Sequence, residues 1–218
     1  MRQNTNVLVS ALFAEAQRYV DNATAHPEIQ KKMNALGFSA RRILEGSALL
    51  DAARAGQIDK HEKYSEQQQV SARLSSDFEQ ARLRFREHVR IVRFALRHEP
   101  AMLASFNVQR LSFRIEPWLL QAGEFYRVAA SHSELLDRHG LSVEEVSQAK
   151  AGIEALSAQR NQRMRCKGDA QEATRLRDTS LKALKRWMSD FRAIARIALR
   201  DSPQLMEALG MVVKAEKV

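Results

Sequence analysis

A single cysteine, Cys166, is present in 218 residues, so the chain cannot build an internal disulfide framework. A lone thiol fits a reducing compartment, and the expected location is cytoplasmic. Only 8 glycines and 4 prolines interrupt the sequence, and aromatic residues make up 6% of it. No alternation of apolar and polar residues is bounded by Asn-Gly or Asp-Gly turns, which argues against hairpins and sheets. No apolar run approaches the ~20 residues of a membrane helix, so no membrane span is expected. Arg2 and the run from Val7 to Ala14 imitate a secretory signal only loosely. Val7, Leu8, Leu12, Ala16 and Tyr19 instead follow helical spacing and predict a first helix over about 5–22.

The patterns that carry chemistry are also missing. No glycine-rich phosphate loop occurs. None of the six histidines pairs with cysteine or another histidine on one helical face, as a metal site needs. No Glu-x-x-His motif is present, which disfavours a di-iron bundle. No Ser, His and Asp set stands out. The chain therefore reads as non-enzymatic, with no catalytic, cofactor-binding or metal-ligating residues and no cofactor. Cys166 lies near Arg163, Arg165 and Lys167, but a redox role would want a second cysteine to resolve the oxidised state.

What is abundant is helix-forming residues and charge. Hydrophobic residues make up 44% and charged residues 28%, a globular balance. Lysine and arginine number 35 against 26 acidic residues, for a net charge of +9. That charge permits attraction to nucleic acid or anionic surfaces without requiring it. It is spread almost evenly over the two halves, so there is no basic tail.

The sequence also repeats itself at an offset of 103 residues. Residues 91–100 (IVRFALRHEP) match 194–203 (IARIALRDSP), with six of ten identical. Gly37 and Ser39 match Gly140 and Ser142, and Ala48, Ala52 and Ala55 match Ala151, Ala155 and Ala158. Upstream of Gly37 the halves do not align without a gap. Ser39 and Ser142 follow a glycine and precede helical patterns, so each is predicted to be an N-cap. Breaks expected at 64–66 and 167–169 divide the pattern into helices near 39–63, 67–98, 142–166 and 170–200. Pro100 and Pro203 end the long helices. A helix near 114–131 mirrors the first one, and short helices are expected near 27–35, 100–106 and 203–209. On the helical wheel Phe85, Val89, Val92 and Leu96 share one face flanked by Ile91 and Ala95, as do Leu184, Trp187, Met188, Phe191, Ile194, Ala195, Ala198 and Leu199. The expected fold class is all-α: two tandem, pseudo-repeated antiparallel up-and-down bundles, 1–108 and 109–218, packed together. Phe106, Val108, Leu111, Phe113 and Ile115 at the junction are apolar and expected to be buried.

Beside the apolar face runs a stripe of arginines. Arg82, Arg86, Arg90, Arg93 and Arg97 are spaced so that they project together. The second copy keeps Lys185, Arg196 and Arg200, while Ser189 and Ala193 replace the other two. The stripe is a candidate anion- or nucleic-acid-binding ridge. Its alternative is a solvated helix edge, favoured by the lack of interleaved exposed aromatics. Residues 27–50 look like a loose helix-turn-helix with Arg41 and Arg42 at the start of a recognition helix. Glu144 and Glu145 take those positions in the second copy and would repel phosphate. His88 lies on the apolar face and is Phe191 in the second copy, so it reads as a packing residue.

The block from Trp187 to Leu199, with Pro203 to Gly210 after it, resembles uncharacterised conserved helical-bundle proteins of bacteria over about the last thirty residues. The resemblance implies a helical bundle and brings no function with it. Two functions fit these features. The first is a scaffold or interaction module with a protein partner or a second copy of itself. The alternative is a nucleic-acid-binding protein that uses the basic stripe.

Overall fold

The computed structural model describes residues 2–108 and 112–211, with side chains from residue 7 onward. Among these residues the chain forms eight α-helices and no strand. The first half contains α1 (Arg2–Ala25), α2 (Pro27–Asn34), α3 (Ala40–Ala95) and α4 (Pro100–Ser105). The second contains α5 (Ile115–Ser131), α6 (Ser133–Asp137), α7 (Val143–Ala198) and α8 (Pro203–Ala208). The bounds of α3 and α4 recur in α7 and α8 at the sequence offset of 103. Helices α1 and α5 are offset by 106 instead, and their buried faces agree in that register. Ala16, Tyr19, Val20 and Ala23 are answered by Ala122, Phe125, Tyr126 and Ala129. The missing three residues lie in the short helix, which has eight residues in α2 and five in α6. That difference in length accounts for the gap met upstream of Gly37.

Local chemistry explains the ends. Gly37 and Gly140 take φ of +83° and +87°, the left-handed conformation that ends α2 and α6. The amides of Phe38 and Leu141 then donate back to the carbonyls of Met33 and Leu136, at 3.1 Å in both cases. All four of those side chains are buried. Ser39 and Ser142 stand immediately before the long helices, as the N-cap reading requires, but only Ser142 uses its side chain. Its Oγ accepts from the Glu145 amide, and its own amide donates to the Glu145 carboxylate, at 3.2 and 2.9 Å. This reciprocal pair is a capping box. The corresponding residue after Ser39 is Arg42, which has no acceptor to offer.

The hairpin breaks expected at 64–66 and 167–169 are absent. Each long helix runs unbroken for 56 residues. Tyr64-Ser65-Glu66 contains no strong breaker. In α7 the apolar positions Cys166, Ala170 and Ala173 stay on the buried side through Gly168, so the face is never lost. A single glycine costs about 1 kcal/mol in a helix interior. Ending the helix there would leave a whole turn of backbone groups to satisfy.

The expected division at residue 108 is also not the one observed. One compact unit comprises residues 1–63 with 170–218, and the other comprises 64–169. The long helices are shared, so each unit takes its opening helices from one sequence half and its closing helices from the other. The unit boundaries fall where helix breaks had been read. Around both, large buried side chains are scarce: none lies between Ala53 and Leu74, or between Leu156 and Leu181 apart from Cys166 and two alanines.

In the first unit, Tyr19, Ile29, Met33, Phe38, Ile43 and Leu50 surround Leu184, Trp187, Met188 and Phe191. Phe191 stacks on Tyr19 at 5.0 Å and meets the edge of Phe38 at 5.5 Å. In the second unit, Phe85, Val89, Val92 and Leu96 of α3 close on Trp118, Phe125 and Tyr126 of α5 and on Leu141, Val146, Ile153 and Leu156. The wheel faces read from the sequence are therefore the cores. His88 is buried there, and its Nδ1 shares a hydrogen bond of 3.0 Å with the Tyr126 hydroxyl. The junction residues divide. Phe106 and Val108 are buried, Ile115 is half-buried, and Leu111 lies outside the described residues. Phe113, expected to be buried, is 75% exposed.

Candidate anion-binding surface

The arginine stripe of α3 belongs to the second unit, and its five members have different surroundings. The Arg82 side chain is only 14% exposed and pairs with Glu79 at 3.0 Å. Its guanidinium lies over two rings, 5.4 Å from the centre of Phe78 and 5.5 Å from that of Phe113. It therefore acts as a strut rather than a free cation. Arg93 donates to the carbonyl of Val108 and so tethers the connector that follows α4. Arg97 donates to the Phe94 carbonyl at 3.0 Å and covers the Phe94 ring at 4.5 Å, a placement that also suits the helix dipole. Arg86 and Arg90 are exposed and make no hydrogen bond or ion pair among the described residues. The matching cations Lys185, Arg196 and Arg200 sit on the first unit, exposed and likewise unengaged.

Two aromatic side chains that sequence reasoning overlooked stand beside the α3 stripe. Phe94 is 61% exposed, one turn after Arg90. It was legible on the wheel, being four residues from Arg90 and three from Arg97. Phe113 comes from the connector before α5, where no periodicity could have placed it. Together with Arg82, Phe85, Arg86, Ser112 and Trp118 it lines a niche of about 160 Å³.

The corresponding surface of the first unit carries a partly apolar groove. Leu36, Gly37, Phe38, Arg42, Asp190, Ala193 and Ile194 line a groove of about 310 Å³. Ile197 beyond it is 64% exposed, and Leu36 is 45% exposed. At the 103-residue offset, Leu36, Ala193 and Ile197 correspond to His139, Arg90 and Phe94. The aligned positions are apolar in one unit and cationic or aromatic in the other. Phe94 and His139 still meet edge to face at 6.1 Å.

The helix-turn-helix reading finds no support in the geometry. The helix after Gly37 is 56 residues long, and Arg42 is tied to Glu45 at 2.7 Å. Glu145, read as repelling phosphate, serves the capping box, and the hydrogen bonds from Ser142 hold its carboxyl below the usual range. Burial pushes the His88 imidazole down from its ordinary pKa. A cavity of about 420 Å³ lies between α1 and α3 and includes Ser10, His61 and Glu62. No hydrogen bond joins those three among the described residues, so no nucleophile-base pair is assembled. Among the same residues no cluster of His, Cys, Asp and Glu is placed to hold a metal ion. No described helix is long and apolar enough to cross a membrane. No protein-family model matches the sequence, and no curated protein or solved structure is similar to it.

Proposed function

We propose that this chain is a non-enzymatic helical interaction module, a scaffold that presents binding faces on two bundle units descended from one duplicated unit. The matched bounds of α3 with α7 and of α4 with α8 support the duplication. The observation that carries the scaffold reading is the uncovered apolar groove of the first unit, with Leu36 and Ile197 exposed at its edge. Isolated apolar side chains on a surface need no explanation, but a groove with an apolar floor and an Arg42–Asp190 rim suits a side chain from a protein partner. A photo-crosslinking residue at position 197, with position 172 as control, tests it. A discrete protein adduct formed at 197 and abolished by Leu36→Asp supports the reading. Identical adducts at both positions, or none, would count against it.

A specific observation favours a second reading, binding of nucleic acid by the α3 stripe of the second unit. Exposed Arg86 and Arg90 stand next to exposed Phe94 and Phe113, which supply the aromatic surface that the stripe lacked in sequence. Fluorescence anisotropy with labelled oligonucleotides over a salt series tests this. Affinity falling steeply with salt supports it, and no binding at low salt removes it.

A further inference from the structure

Resting on that second reading, we infer that the exposed Phe113 ring stacks one unpaired base, so that the second unit takes single-stranded rather than duplex nucleic acid. The Arg82 guanidinium lies over both Phe78 and Phe113, 5.4 and 5.5 Å from the two ring centres. Phe78 is in turn braced edge to face against Trp118 at 5.0 Å. Arg82 thus covers the Phe113 ring on one side, while three-quarters of that residue faces solvent. An exposed aromatic ring held in this way can stack one more flat ring, and every nucleobase has one.

Next to that face are the groups a phosphate needs. Arg86 is exposed and unengaged, and with Ser112 and Phe113 it lines a niche of about 160 Å³. Arg90 continues the path along α3, about 6 Å from Arg86 at 1.5 Å of rise per residue. A backbone seated at Arg86 can therefore run along a cationic helix edge that is interrupted by a second exposed ring, Phe94. A duplex could use the same arginines through its phosphates. It could not use Phe113, because its bases are already paired and stacked. The exposed Phe113 ring is what selects an unpaired base.

The test compares a labelled single-stranded oligonucleotide with a duplex of equal length, on the full chain, for wild type, Phe113→Leu, Arg86→Gln and the control Arg138→Gln. Circular dichroism checks folding, and Phe113→Leu should be well tolerated because the ring is mostly exposed. Base stacking of this kind is worth at least about a fivefold change in affinity. Phe113→Leu is expected to weaken single-strand binding by that factor or more, with an unchanged salt slope and unchanged duplex binding. Arg86→Gln should reduce the single-strand salt slope by about 0.7. If Arg86→Gln weakens binding but Phe113→Leu weakens neither substrate, or both equally, the seat is refuted while the broader nucleic-acid reading stands. If neither oligonucleotide binds at low salt, both fail. Polyglutamate that binds as tightly as the single strand, with no dependence on Phe113, would overturn the seat in favour of an acidic protein partner.

Discussion

Gly46 is the position at which one added methyl group should do most damage. A Cβ there would fall 2.1 Å from Cζ2 of Trp187 and 2.2 Å from its Cε2. The indole cannot step aside easily. It is 3% exposed, its N–H donates to the Arg42 carbonyl at 2.7 Å, and its ring lies against Phe191 at 5.2 Å. Overpacking of a rigid buried ring costs up to about 3 kcal/mol, occasionally more. Displacing the indole also forfeits a hydrogen bond worth about 1 kcal/mol. Alanine returns about 1 kcal/mol through helix propensity. The net expectation for Gly46→Ala is a loss of about 3 kcal/mol, which moves a urea midpoint followed by circular dichroism down by 1 M or more for an m-value of about 1–3 kcal/mol/M. The sign should reverse once the ring is gone. In a Trp187→Leu background the same glycine-to-alanine change should be neutral or stabilising by up to about 1 kcal/mol. The repeat already contains this pairing: at the 103-residue offset, Ala149 stands where Gly46 does and Arg84 where Trp187 does. A neutral or stabilising Gly46→Ala in the wild type would refute the reasoning.

Three other measurements bear on the fold. Gly168→Ala should stabilise the chain by about 0.5–1 kcal/mol, because the position is interior to α7 with nothing within 4 Å of an added Cβ; a loss would mean a turn at this point instead. Ser142→Ala should cost about 1 kcal/mol and Ser39→Ala less, because only Ser142 makes side-chain cap bonds, and equal losses in thermal melts would contradict the cap assignment. Burial depresses the His88 pKa, so the unfolded chain takes up the proton first as the pH falls. This contribution to stability is complete above about pH 6.5 and is lost as the pH drops through that value toward the lower folded pKa. His88→Phe, the residue found at position 191, should flatten the decline in stability between about pH 7.5 and pH 5.5, and an unchanged slope would show that another group carries it.

The helical class, the buried faces and most helix ends could be read from the sequence because each rests on local rules. Pro100 and Pro203 mark starts of short helices, Gly37 and Gly140 supply left-handed turns, and Phe85, Val89, Val92 and Leu96 follow a 3.6-residue period. Helix continuity through Gly168 could not be read in the same way. A glycine between charged residues looks like a turn locally, and only the buried side kept by Cys166, Ala170 and Ala173 overrides it. The pairing of one half's opening helices with the other half's closing helices leaves no local mark, since every helix keeps the same apolar face whichever partner covers it. The candidate surface was half visible. The arginines could be aligned by spacing, but their inequality could not. Whether an arginine is free or committed depends on Glu79, Val108 and the ring of Phe113, all set by tertiary structure.

The discontinuity of the first unit orders events during synthesis. Residues 64–169 form one uninterrupted stretch, so the second unit can close as soon as that stretch has left the ribosome. The first unit cannot. Its α1, α2 and the opening of α3 must wait while all 106 of those residues are made, roughly 5–20 s at ribosomal elongation rates. Throughout that interval Tyr19, Ile29, Met33 and Phe38 lack Trp187 and Phe191, the rings that later cover them. The nascent chain therefore passes through a stage with a finished second unit and an unfinished, sticky N-terminal segment. Helper proteins that shield apolar segments would act there, and slowing translation after residue 169 would prolong the exposure.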